Sequence, residues 1–93
     1  MLSFSENVRN VVRAITPGTV MTYGSVAKAA GKPTAHRAVA RIMSSNFDPT
    51  VPCHRVVKSD GTLGGYNRGG IVQKQKILSK EGVQFTASNK VIF

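Results

Sequence analysis

The stretch TYGSVAKAAGKPTAHRAVARIMSS, residues 22–45, decides the fold. Thr22 carries the side-chain oxygen that caps a helix running from Tyr23 to Ala30, and Gly31 supplies the residue that closes it. Lys32-Pro33 forbids continuation, because the proline ring crowds the helical backbone of the residue before it, and Thr34 caps a second helix to about Ser45. Two short helices joined by so tight a turn read as a helix-turn-helix. At 100° per residue Ala35, Val39, Ile42 and Met43 gather on one side of the second helix, and Arg37, Ala40, Arg41 and Ser44 on the other. One face packs; the other is basic with small residues between.

Towards the start, Phe4, Val8, Val11, Val12 and Ile15 recur at three and four with Glu6, Arg9 and Arg13 opposite, which makes Ser3 to Ile15 an amphipathic helix. Thr16-Pro17-Gly18 ends it, and Val20-Met21 is a short extended piece. Beyond the second helix, Asn46 to Pro52 holds Asp48 and two prolines and is loop. His54 to Lys58 reads as a strand, Ser59-Asp60-Gly61 as a hairpin turn and Thr62-Leu63 as the return, together a wing. Gly64 to Gly70 is a flexible basic loop, Ile71 to Glu81 a last helix closed by Gly82, and Val83 to Phe93 a weakly extended tail. The expected fold is mainly α with a small β-wing, a winged helix-turn-helix-like DNA-binding domain, in one domain over residues 1–93.

At 93 residues there is room for one small core that buries roughly 60–65% of the unfolded surface, so a shallow site is expected and a broad internal cofactor cavity is not. Thirteen Lys and Arg against four Asp and Glu give a net charge of +9, spread from Arg9 to Lys90. A field of that sign attracts phosphate polymers or anionic membrane, and no lipidation signal or apolar run near 18 residues favours the membrane. Nucleic acid is the leading partner; a basic surface kept only for solubility is the alternative. Met1-Leu2-Ser3-Phe4-Ser5-Glu6 lacks the basic start and apolar stretch of a secretory signal, so an intracellular protein is expected. One Cys excludes an internal disulfide, and one Cys with two His does not make a usual four-ligand zinc site.

Cys53 is therefore either core or chemistry. It stands in Val51-Pro52-Cys53-His54-Arg55-Val56-Val57, where an adjacent His and Arg lower the cost of a thiolate and make the thiol a candidate nucleophile. Within a strand His54 would point away from Cys53, so adjacency alone leaves the buried inert cysteine open as the other reading.

Pro52-Cys53-His54-Arg55-Val56 resembles the active-site signature of the O6-alkylguanine-DNA alkyltransferases, the methylated-DNA–protein-cysteine methyltransferases. Thr22 to Ala27 is similar to that family's tyrosine-bearing helix start, and Arg37-Ala38-Val39 to its arginine-bearing recognition helix. Asp60 to Tyr66 and Lys74 to Gly82 resemble its wing, binding loop and closing helix. The resemblance implies that Cys53 accepts, once and irreversibly, an alkyl group from O6 of a guanine turned out of duplex DNA. It implies that His54, with Glu81 behind it, activates the thiol through a water. Removing the Glu81 carboxylate should then slow activation without unfolding the domain. It further implies that Tyr23 donates to the flipped guanine, that Arg37 fills the vacated stack and that Tyr66 and Asn67 line the pocket. Arg41, Arg68 and Asn46 join them as DNA-binding residues, with the recognition helix in the minor groove. The partner implied is double-stranded DNA containing alkylated guanine, bound by a monomer that needs no metal or other cofactor. The location implied is the cytoplasm, on the nucleoid of a prokaryote, or the nucleus of a eukaryote.

Three features bend the pattern. Full-length members of the family carry an N-terminal domain, whereas here only the helix from Ser3 precedes the motifs, a length like that of the alkyltransferase-like proteins. Those usually have Trp or Ala at the position of Cys53 and flag lesions for excision-repair proteins, which makes a non-catalytic lesion sensor the alternative reading. In addition, the loop from Asn46 to Pro52 is one residue shorter than the family's usual spacing, and Ala40 stands where the recognition helix commonly has Gly.

Overall fold

The structure, a computed structural model, describes residues 3–93; Met1 and Leu2, where the reading of the leader begins, lie outside the described residues. Helix α1 (Phe4–Arg13) starts where Ser3 accepts a hydrogen bond from the Glu6 N–H at 3.2 Å, and it buries Val8 and Val12. Strand β1 (Met21–Thr22) leads directly into α2 (Tyr23–Ala29), which Thr22 caps by accepting from the Ser25 N–H at 3.0 Å. Helix α3 (His36–Ser44) follows, then strand β2 (Val56–Val57) and helix α4 (Gly70–Lys80). Among the described residues four α-helices and one two-stranded sheet make a helix-turn-helix domain with a small sheet, as the periodicities indicate.

On α3, Val39 and Met43 are buried while Arg37, Arg41 and Ser44 are exposed, which is the division the helical projection gives. Its cap differs from expectation. Ala35, not Thr34, is the N-cap residue, and no side chain bonds the first turn. The chain turns back there through Ala35 N–H to Lys32 O at 3.0 Å, which places Thr34 inside the turn.

The wing is the larger correction. His54 to Lys58 is not a continuous strand: Cys53–Arg55 is a single 3-10 turn, and only Val56–Val57 is extended. Those two residues do not pair with Thr62-Leu63. They run parallel to β1, with Met21 opposite Val56 and Thr22 opposite Val57. Both are fully buried, so β2 goes to the centre of the domain, where hydrophobic burial and a distant strand outweigh a local hairpin. The turn itself is present. Lys58 N–H reaches Thr62 O at 2.9 Å, Gly61 adopts φ +90°, and Asp60 Oδ1 accepts from the backbone and hydroxyl of Thr62 at 3.0 and 2.7 Å.

Two apolar clusters result. The larger joins α1, α2 and α3 with Val51, Cys53 and Val56; the smaller joins Val57, Leu63, Leu78, Val83 and Val91. The tail therefore takes part in the core, returning through a Phe85–Val91 antiparallel bridge. Among the described residues no helix is long and apolar enough to cross a membrane.

Candidate active site and nucleic-acid interface

The parallel pairing of β1 with β2 builds the site. It fixes the last residues before Tyr23 beside the first residues after the Cys53–Arg55 turn, and so brings together side chains 30 positions apart in the chain. Cys53 is 5% exposed and lies in the wall of an open groove of about 980 Å³. The groove is also lined by Tyr23, by Arg37, Ala40 and Ser44 of α3, by Lys58, Ser59 and Asp60 of the wing turn, and by Gly64, Gly65, Tyr66 and Asn67. The loop from Gly64 lies directly on the Tyr23 ring. A Cβ at Gly64 would sit 3.0 Å from Tyr23 Oη, and its φ of +71° also favours glycine.

Burial raises the pKa of Tyr23 and, to a second degree, so does the nearby Cys53, since a charge on its sulfur would oppose a phenolate; Tyr66 is raised by the same two causes in the same order. Both phenols are therefore donors at neutral pH, the state needed to hydrogen-bond a purine acceptor.

His54 and Glu81 sit behind the groove. Glu81 receives Arg55 in a bidentate pair, Nε–H to Oε1 at 3.0 Å and Nη2–H to Oε2 at 2.6 Å, while Arg55 Nη1–H donates to Ile15 O at 2.8 Å. His54 Nε2 lies 3.2 Å from each Glu81 oxygen. Glu81 is ionised first by Arg55, which heads the causes that lower its pKa. A carboxylate can only accept, so the proton of the neutral ring is on Nε2 and Nδ1 is left as the acceptor. The pKa of His54 is lowered: burial dominates, and the opposing pull of Glu81 does not make up for it. The imidazole is thus neutral at pH 7 and able to take a proton.

This geometry changes what removing Glu81 does. The carboxylate neutralises a half-buried guanidinium as well as orienting His54, so Glu81→Gln is expected to lose roughly 1.5–3 kcal/mol of stability while the domain still folds. Both folded-state pKa values, of His54 and of Glu81, lie below those of the unfolded chain. Their contribution to stability is present above about pH 6.5 for the imidazole. It is lost as the pH falls through the folded values. Urea midpoints between pH 7 and pH 4 should fall for the wild type and start lower for Glu81→Gln; a pH-independent midpoint would contradict the coupling.

Of the residues singled out from the sequence, Cys53, Tyr23, Arg37, Tyr66 and Asn67 line one groove, and His54 and Glu81 form one hydrogen-bonded unit. Arg41 is exposed on α3 but outside the groove wall, and Arg68 is half-buried with Nη2 buried and unpartnered. Asn46 does not fit a DNA contact: it is 6% exposed, its Oδ1 accepts from Asp48 N–H at 3.4 Å, and its carbonyl accepts from Asn67 Nδ2 at 2.8 Å. Asn67 also donates to Ser44 O at 2.8 Å, so the two asparagines tie the binding loop to the end of α3. The short loop before Cys53 is held from outside by Arg13, which reaches Asp48 at 3.2 Å and Thr50 at 3.3 Å.

Two residues escaped the sequence reading. Arg55 was legible only as a neighbouring charge, not as the main partner of Glu81. Lys74, which falls on the inward side of α4, is fully buried with its ammonium donating to the carbonyls of Val56 at 2.8 Å, Leu63, and Gly65 at 3.3 Å. It also lies 5.8 Å from the Tyr23 ring centroid. Burial pulls its pKa down to about 8. A lysine at a buried helical spacing was the one available signal.

Residues 3–83 match the family model described as "6-O-methylguanine DNA methyltransferase, DNA binding domain". The chain belongs to that family. It is 40% identical over 83 residues to the methylated-DNA–protein-cysteine methyltransferase of Rattus norvegicus, covering 87% of this chain and 40% of that protein. It is 43% identical over 82 residues to the enzyme of the same name from Methanothermobacter thermautotrophicus, covering 86% of this chain and 44% of that one. The chain thus spans less than half the length of these curated relatives. Among solved structures it resembles Mycobacterium tuberculosis OGT in complex with DNA, with a TM-score of 0.81 and 36% identity over 88% of this chain and 50% of that one. It also resembles Schizosaccharomyces pombe Atl1 in complex with damaged DNA containing O6-carboxymethylguanine, with a TM-score of 0.80 and 30% identity over 98% of this chain and 90% of that one.

Proposed function

We propose that this protein repairs DNA by a single transfer of an alkyl group from O6 of an alkylated guanine in duplex DNA to Cys53. The observation that carries the reading is Cys53 in the wall of a groove lined by Tyr23, Arg37 and Tyr66, with the neutral His54 held by Glu81 next to it in the chain. Among the described residues no direct hydrogen bond links the imidazole to the thiol, so the proton leaves Cys53 through an intervening water to His54 Nδ1. The thiolate attacks the alkyl carbon, the carbon–oxygen bond breaks with its electron pair leaving on the guanine, and the guanine, hydrogen-bonded by Tyr23, takes up through water the proton that His54 accepted from the thiol. Arg37 takes the place of the extruded base, and Arg41 with the lysines holds phosphates. The thioether has no regenerating partner in the groove, so each molecule acts once. Tyr66 packs edge-on to His54, with ring centroids 6.4 Å apart at 75°, and sets the far wall of the guanine site.

A second reading has one specific observation in its favour. The likeness to Atl1 in complex with damaged DNA, at a TM-score of 0.80, is as good as that to OGT, which suits a sensor that holds the lesion and recruits excision-repair proteins. Incubation with duplex carrying O6-methylguanine separates the two. The transfer reading expects peptide mass spectrometry to find one methyl group on Cys53, saturating at one per chain, and none with undamaged duplex. Tight lesion-dependent binding without a mass change would replace the enzyme with the sensor.

A further inference from the structure

Residues 84–93 follow the span that the family model matches, and they are built against the wing. Thr86 N–H reaches Lys90 O at 2.7 Å, Asn89 takes φ +60° at the bend, and Ile92 N–H reaches Gln84 O at 2.9 Å, closing a clip around the Phe85–Val91 bridge. Val91 is buried against Val57 and Leu63, and its N–H donates to Gly61 O at 2.8 Å. Gly61 has to be glycine for this: a Cβ there would sit 3.1 Å from Val91 O and 3.2 Å from Lys90 Cβ. The clip therefore fixes the wing turn, and that turn presents Lys58, Ser59 and Asp60 to the groove.

Asp60 is an acidic group on a surface that would otherwise meet phosphates with a single lysine. Lys58 and Lys90 both stand close enough to help hold its carboxylate ionised, after its hydrogen bonds to Thr62. Two exposed ammonium groups around one carboxylate leave a net positive edge on the wing flank of the groove, separate from the arginines of α3.

We propose that Lys90, carried by the clip beside Lys58, contacts the phosphate backbone of duplex DNA and extends the binding surface beyond residues 3–83, the span that the family model matches. This rests on the DNA-binding reading above. Lys90 is exposed and donates no side-chain hydrogen bond among the described residues, so its replacement leaves the fold standing.

Fluorescence anisotropy with an undamaged duplex over a salt series tests it. Lys90→Ala should lower affinity several-fold at low salt and reduce the log-log salt slope by about 1, because one phosphate contact and its released counterion are gone. Lys90→Arg should restore both. Lys80→Ala, which removes one charge at the end of α4 away from the groove walls, should leave the slope unchanged. If Lys90→Ala and Lys80→Ala behave alike while the wild type keeps a steep slope, this inference is overturned and DNA binding stands. If the wild type itself shows a flat slope, both fail together.

Discussion

The proposed transfer requires that replacing Cys53 with alanine abolish it and leave affinity for an O6-alkylguanine duplex within about twofold, because the thiol is a small part of the groove wall and phosphate contacts would carry most of the binding. Arg37→Ala will do something different. Extruding a base costs a few kcal/mol of unstacking, and a side chain that fills the gap returns part of it, on the order of 1–3 kcal/mol. Its loss should therefore lower lesion capture by roughly 10- to 100-fold while the rate of transfer from saturating duplex changes less. Competition binding against undamaged duplex, with single-turnover transfer followed by mass spectrometry, reads both quantities. Equal loss of lesion binding in the two variants would make Cys53 a structural residue and remove the basis for the proposed transfer.

The largest effect on stability is expected at Lys74. Lys74→Met keeps much of the side-chain volume but leaves the carbonyls of Val56, Leu63 and Gly65 facing an apolar methyl group. A buried acceptor without a partner costs roughly 1–3 kcal/mol, so a loss of about 3 kcal/mol or more is expected, a large share of the roughly 5–15 kcal/mol that holds a small domain. Urea denaturation gives the value; a change under about 0.5 kcal/mol would show that the three carbonyls find other donors. The wild type carries a second signature. With the folded ammonium at about 8 and the unfolded one near 10.5, the folded protein holds fewer protons between those values. Its stability should therefore rise with pH across that window, and the rise should vanish in Lys74→Met.

The sequence alone determined the helices, since all of them apart from the start of α3 are bounded by chemistry that acts within a few residues. Ser3 and Thr22 cap α1 and α2, Gly82 follows α4, and the three- and four-residue spacing of Val39 and Met43 fixes the buried side of α3 and with it the exposure of Arg37. Pro52-Cys53-His54-Arg55-Val56 likewise carried the family and the candidate nucleophile. Only the tertiary structure decided the rest. The strand at Val56 takes its partner from Met21, 35 positions earlier, because burying Val56 and Val57 at the centre outweighs a hairpin with Thr62-Leu63; no local signal encodes a parallel partner. The same distance hid the sharing of Glu81 between His54 and Arg55, the inward turn of Asn46, the burial of Lys74 and the packing of the tail on Gly61. Each of these depends on which polar groups are stranded when distant segments close over them. That is settled by packing, and a residue's neighbours in the chain do not contain it.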